Sequence, residues 1–587
     1  YSSTSGVTDG STTNDSSITM VFVTSAPTSN FAIGDITATG GDLSSFTSVS
    51  TTVYTVVFTP TDDGATTVDV AANKFTDAAG NNNTAADQFN WTYDGTSPTA
   101  AITYSSTGPY KQGDAVTITA TFTEAMATTP KIAISGVSSI AATNMSGSGT
   151  TWTYAYTAPA GDGTETIALS AGTDASGNTV TSAPTSGATF TVDNTAPTLT
   201  AVTQVSTPSN DTTPSYVFTT NEAGTITTNI TEGFTTSASA ATGSNQTITF
   251  DTLGEGTYTG KTVTVTDAAG NAGSITMADF VIDTTVPTAA ITYSSTGPYK
   301  QNDAVTITAT FTEAMATTPK IAISGVSSIA ATNMSGSGTT WTYAYTAPAG
   351  DGTETIALSA GTDASGNTVT SAPTSGATFT VDNTAPTLTA VTQVSTPSND
   401  TTPSYVFTTN EAGTITTNIT EGFTTSASAA TGSNQTITFD TLGDGTYADK
   451  TITVTDAAGN ASSLTLTTFV IDTASPTAAI TYSSAAPYKN GETVTITATF
   501  NGAVLDSPVP TIAIAGSGIA NVTSTNMTKV STTVYTYSYA VPTGDGTGTV
   551  TVGTGTDAAG NTVTSTPTSG ATFTGDNTSP TATSTYA

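Results

Sequence analysis

In "VTVTDAAGNA", residues 263–272, a strand pattern runs straight into a turn. Alternating Val and Thr, the pattern of a half-buried strand, run into Asp267, two alanines, Gly270 and Asn271, the residue types that bend a chain sharply. A strand that ends in such a turn needs a partner beyond it, and "SITMADFVID" (274–283) supplies one. The same Asp, Gly, Asn spacing returns at 77–81, 174–178, 363–367, 456–460 and 557–561. Six copies make the turn a unit of architecture, and leave two readings of its Asp: a cap for the turn, or a ligand.

Longer repeats frame the turn. "PTAAITYSSTGPYK" begins at Pro98 and Pro287, and "PTAAITYSSAAPYK" at Pro476, each 189 residues after the last. Every period holds a longer and a shorter module. From Pro98 to Gly254 the first period differs from the second only at Gly113, which is Asn302 in the copy. The expected modules are 1–97, of a third type; 98–196, 287–385 and 476–579, long; and 197–286 and 386–475, short; 580–587 starts a further repeat. "YSST" at Tyr1 matches "YSST" at Tyr104, and Tyr586 follows Pro580 as Tyr104 follows Pro98, so both ends are expected at one phase of the repeat.

Hydrophobic residues are 36% of the chain and charged residues 9%, so each module must build a thin core from Val, Ile, Ala and a few aromatics. Thr, Val and Ile fit a pleated surface better than a helix. In the long module the strand signals fall at A "AAITYSS", B "AVTITATFTE", C "PKIAISG", D near "AATNMS", E "TTWTYAYTA", F "TETIALSAGT" and G "GATFTVD". In the short module they give B "SYVFTTNEAG", E "QTITFDTL", F "KTVTVTD" and G "SITMADFVID". Tyr258, in "LGEGTY", fits either a turn-pinning tyrosine or a core packer.

Composition removes whole classes of function. There is no His and no Cys, and all nine basic residues are Lys. That leaves no Ser-His-Asp set, no thiolate or imidazole zinc site and no guanidinium clamp. A formal net charge of −34 repels nucleic acid and anionic lipid, and makes cations the natural partners. No apolar run is long enough to span a bilayer, so no direct membrane insertion is expected in these residues; an export signal or anchor belongs outside them.

"TDAAGN", then a strand, then "DNTAPT" resembles the bacterial immunoglobulin-like domains found in tandem in prokaryotic adhesins and surface-layer proteins, and the resemblance covers nearly the whole chain. The alternating modules also resemble those of archaeal surface-layer proteins. The fold it implies is all-β: a tandem array of six immunoglobulin-like sandwiches joined by short, Pro-containing linkers. "VDNTAPT" further resembles the calcium-binding linker of cadherin domains.

Topology assigns the acids. With seven strands entering at one pole, the B–C and F–G loops lie at that leading pole, and the E–F loop lies at the trailing one. Each linker has an Asp four residues before its Pro. Four acidic elements should therefore meet at each junction: Asp63, Asp94, Glu124 and Asp174; Asp162, Asp193, Glu222 and Asp267; Glu255, Asp283, Glu313 and Asp363; Asp351, Asp382, Glu411 and Asp456. Oxygen ligands in that number suit Ca²⁺. The last junction offers Asp444, Asp472 and Asp557 but has Asn501 where the others have Glu, so weaker metal binding is expected there. Asp174 and Asp193 flank strand G and cannot share an ion.

The expected protein is a repetitive extracellular structural protein of a prokaryotic cell surface. Its calcium-stiffened modules would associate with further copies into a surface layer or filament. The alternative is the spacer stalk of a large adhesin. Asn-x-Ser/Thr sequons, among them Asn144, Asn229, Asn333 and Asn418, are candidate glycan sites. Paired carboxylates repeated on turns, with no aromatic cleft, point away from glycoside hydrolysis and from an enzyme.

Overall fold

A computed structural model describes residues 2–3, 6–236, 238–425 and 427–585. Tyr1 and Tyr586, on which the shared phase of the two ends rests, lie outside the described residues. The chain divides into two compact units, residues 1–284 and 285–587.

The second module shows why these sequences form sandwiches. Strand B, Ala115–Phe122, buries Val116, Ile118, Ala120 and Phe122 and turns Thr117 and Thr121 outward. A strand with one apolar face needs a second sheet to cover it. Strands A (Ala100–Tyr104), B and E (Thr151–Thr157) form one sheet, and C (Lys131–Ser135), F (Gly163–Ser170) and G (Thr189–Val192) the other. Ile118, Ile132, Ile134, Trp152, Ile167, Leu169 and Phe190 meet between them. Each buried aliphatic side chain contributes roughly 1.5–3 kcal/mol, enough to hold a core built from so few large residues.

Strand D departs from the constant-type arrangement, in which it lies beside E. Ser139–Asn144 pairs with C instead, and the chain then crosses at buried Met145 to place Ser146–Ser148 against E. "AATNMS" carries one large apolar residue among small ones, so its pattern suits an edge of either sheet and pairing alone decides.

The short module, 197–286, follows the same plan with one correction. Its expected strand G is two strands. Ala272–Thr276 pairs with F (Thr262–Thr266), and Phe280–Ile282 pairs with Gly256–Tyr258 in a separate ribbon. Met277 keeps the inward phase of Ile275, but Ala278 and Asp279 after it are both exposed, so Phe280 and Ile282 return to the core out of step with a single strand. Tyr258 fulfils both of its readings: its hydroxyl donates to Gly254 O at 2.9 Å and its ring stacks on Phe280 at 5.0 Å. The first module pairs 2–3, 18–23, 53–60 and 41–48 in one sheet and 12–13, 89–93, 64–69 and 37–39 in the other.

The described residues thus form tandem immunoglobulin-like β-sandwiches. Their hydrophobic cores span Val7 to Trp91, Ala100 to Val192, Val205 to Ile282, Ala289 to Val381, Val394 to Ile471 and Ala478 to Phe573.

One core residue had no signal in the sequence pattern. Glu165, fully buried on strand F, accepts from Tyr156 OH at 3.0 Å and from Ser138 N at 2.7 Å, and Glu354 repeats this with Tyr345 and Ser327. In the last module Gly548 takes its place in register, and a Cβ there would meet Ile519 Cδ1 at 2.5 Å.

Candidate metal centres at the module junctions

The F–G turn positions its Asp in the same way in each copy. Asp267 Oδ1 accepts from Asn271 N at 2.9 Å and Oδ2 from Asn271 Nδ2 at 2.9 Å. Asp77, Asp174, Asp363, Asp456 and Asp557 hold their own turn asparagines through the same pair of bonds. Gly270, at φ +87°, supplies the left-handed step that the turn requires. The turn-cap reading of the Asp is therefore what the geometry shows, and each carboxylate keeps lone pairs facing outward.

Outward means toward the preceding linker. Carboxylate oxygens of Asp94, Glu124 and Asp174 lie within 4.8 Å of one another, as do those of Asp193, Glu222 and Asp267, and those of Asp382, Glu411 and Asp456. Asp174 belongs to the first group and Asp193 to the second, so the two ends of strand G serve different junctions. Glu255 and Asp283 belong to the first unit, and Glu313 and Asp363 to the second.

Crowding leaves an electrostatic mark on the glutamates. Burial, followed by the charges of Asp94, Asp174 and Asp63, pushes the Glu124 carboxyl above its ordinary range. Glu222 is raised by burial and then by Asp193 and Asp267, and Glu411 by burial and then by Asp382 and Asp456. Like charges this close disfavour the ionised form.

The expected fourth ligand has another task. Asp162 accepts from Asn194 N and, at 2.6 Å, from Thr195 Oγ1, which braces the linker at the trailing pole. Asp63 and Asp351 do the same with Gly95 and Thr96 and with Asn383 and Thr384. The threonine hydroxyl, then the backbone amide, holds each of these carboxyls below its usual range. Glu255 accepts from Thr284, and Asp444 from Thr473. Three of the four expected acids therefore converge, while the fourth is committed to its own linker because Thr195 and its equivalents lie closer to hand.

At the last junction the register corrects the expectation: Asn501 follows Phe500 as Thr123 follows Phe122, so the position of Glu124 is held by Gly502. Asn501 Oδ1 accepts from Thr477 N at 2.8 Å, the bond that Asn221 and Asn410 make with Thr198 and Thr387 beside their glutamates, and the junction is one carboxylate short because the next residue is glycine. The turn asparagines are functional residues that the sequence reading passed over. Asn178 Nδ2 donates to Asp94 O at 2.7 Å, Asn271 to Asp193 O at 2.9 Å, Asn460 to Asp382 O at 2.9 Å and Asn561 to Asp472 O at 2.6 Å. Their invariant place four residues after each Asp was the available signal.

The donor set fits a hard divalent cation. Ligands on one calcium ion sit roughly 2.3–2.6 Å from it, so two of them stand at most about 5 Å apart, a limit that the three-carboxylate groups meet.

Residues 3–93 match the family model described as a bacterial Ig-like domain. The first module is a bacterial Ig-like domain. Among solved structures, an I-band fragment of titin is matched over 50% of this chain and 98% of its own, at 12% identity and TM-score 0.24. Domains 4–9 of the surface layer protein SbsC are matched over 89% of this chain and 88% of theirs, at 14% identity and TM-score 0.21. No curated protein matches the chain. The Ig-like modules account for the whole of the described strand structure, and no helix among the described residues is long and apolar enough to cross a membrane.

Proposed function

We propose that this chain is a repetitive extracellular structural protein of a prokaryotic cell surface, whose Ig-like modules are stiffened by calcium at their junctions and assemble into a surface layer or filament. The carrying observation is the recurrence of three carboxylates, from a linker and from two loops of the next module, within 4.8 Å of one another at successive junctions. Side chains from two modules on one ion would stiffen the joint between them. A net charge of −34 gives such a chain further use for cations. No catalytic role is proposed: the acids sit on turns repeated from module to module, where a joint needs them and an active site does not.

Glycans fit the surface at Asn144 and Asn333, which are exposed. Asn229 and Asn418 instead donate Nδ2 to Gly260 O at 3.2 Å and to Asp449 O at 3.1 Å, so a glycan on that nitrogen competes with a structural bond.

Isothermal titration of the full chain with Ca²⁺ tests the joint. Saturable binding at the junctions is expected, weakened by Glu222→Gln together with Glu411→Gln. Heat of dilution alone would remove calcium from the proposal.

A further inference from the structure

At the four junctions that lie within a unit, the A–B turn of one module touches the F–G turn of the next, and the contact takes one of two chemical forms. After a long module it is a lysine: Lys111 Nζ donates to Gly270 O at 2.8 Å and Lys300 Nζ to Gly459 O at 2.9 Å. After the first and fifth modules it is a main-chain amide: Asn14 N donates to Ser176 O at 3.1 Å and Asn399 N to Ala559 O at 2.9 Å. Beside each contact the turn asparagine reaches back to the linker Asp carbonyl, as described above. Two bonds from two separate loops therefore fix each module against its neighbour.

The turn glycine is shaped for this contact as well as for its backbone angle. A Cβ on Gly270 would lie 3.1 Å from Lys111 Nζ, on Gly459 3.2 Å from Lys300 Nζ, on Gly177 3.3 Å from Asn14 Oδ1 and on Gly560 3.4 Å from Asn399 Nδ2. On Gly80, in the first module, it would meet nothing within 4 Å. The backbone angle is the same there, φ +92°, so the close approach belongs to the junction and not to the turn.

The Asp472 junction separates this contact from the carboxylates. It lacks the glutamate, yet keeps both bonds, Asn399 N to Ala559 O and Asn561 Nδ2 to Asp472 O. We propose that the A–B and F–G turns form a clasp that sets the angle between successive modules without a metal ion, in a lysine form and an amide form, with Lys111 and Lys300 as positioning residues. The clasp does not rest on the calcium reading: ions at the carboxylates would stiffen an angle that the clasp already defines. Only the lysine form depends on a side-chain charge, so the two kinds of junction answer differently to its removal.

The chain has no cysteine of its own, so spin-label pairs can be introduced cleanly in the full-length protein. With labels at Thr121→Cys and Thr276→Cys, on exposed positions of the second and third modules, the interspin distance distribution is measured in excess chelator. A narrow distribution is expected, broadened about twofold or more by Lys111→Met and restored by Lys111→Arg, with an unchanged unfolding midpoint. In the same buffer, hydrogen exchange at the Asn14 amide is expected to stay slowed roughly tenfold or more against an open loop amide, whether or not Lys111 is replaced. The proposal is overturned if chelator alone broadens the distribution as far as Lys111→Met does, or if the Asn14 amide is protected only when calcium is added. Because every expected result is read without metal, a chain that fails to bind calcium would leave the clasp standing.

Discussion

Asp267 does with one carboxylate what the sequence reading posed as alternatives. It caps its own turn through Asn271, and its outward face meets Asp193 and Glu222. The sequence made both roles legible because an Asp, Gly, Asn turn is recognisable anywhere, but the sharing depends on a linker folded back from the module before. Glu222 follows from the same crowding. Its carboxyl is raised in the folded chain by burial and then by Asp193 and Asp267, so its contribution to stability is present while it is protonated and is lost as pH rises through the raised value. In chelator, Glu222→Gln with Glu411→Gln is expected to raise the unfolding midpoint at pH 7 and to leave it unchanged near pH 4; calorimetric scans at the two pH values check this. Asp162 runs the other way. Its carboxyl is lowered by Thr195, so its brace on the linker is full above the ordinary Asp range and is lost as pH falls below it. Gly502→Glu is the converse change: a Cβ at Gly502 meets nothing within 4 Å, and the substitution should complete a third carboxylate at the Asp472 junction and add one calcium to the titration stoichiometry.

At the scale of the strand, alternation located A, B, C, E, F and G of the long module because a strand with one buried face writes a period of two into its sequence. Strand D escaped that logic, since Ser139–Asn144 is an edge strand with mostly exposed residues and its sheet is chosen by pairing with Lys131–Ser135. The split of strand G in the short module turned on Ala278 and Asp279, two exposed residues in succession that put Phe280 and Ile282 out of phase with Ile275 and Met277. Glu165 was invisible for a different reason: a carboxylate in "TETIALS" reads as an outward residue until its partners, Tyr156 on strand E and the amide of Ser138, are folded over it. Tyr156→Phe together with Tyr345→Phe removes one donor from each buried carboxylate. The expected cost is about 1–3 kcal/mol per affected module, a fall in midpoint of roughly 4–8 °C for each kcal/mol. The last module, with Gly548 in place of the glutamate, should unfold as before, and differential scanning calorimetry of the full chain would show whether only some transitions move.

At the scale of the whole molecule, calcium and charge act on an array of similar joints. Electron microscopy of native material with and without chelator is expected to show ordered sheets or fibres that come apart when calcium is withdrawn. Isolated rods that merely soften would identify an adhesin stalk instead. By itself the sequence determined the repeat, the strand alternation, the sandwich class and the pole at which each acid lies, because all of these follow from local periodicity and from loop order in a known topology. Tertiary structure alone decided that three acids converge while Asp162 turns to Thr195, that Asn271 and Lys111 tie one module to the next, and that Glu165 is buried. Each of these is a contact between residues far apart in the chain, and a linear pattern of residue types carries no record of which distant group fills a hydrogen bond first.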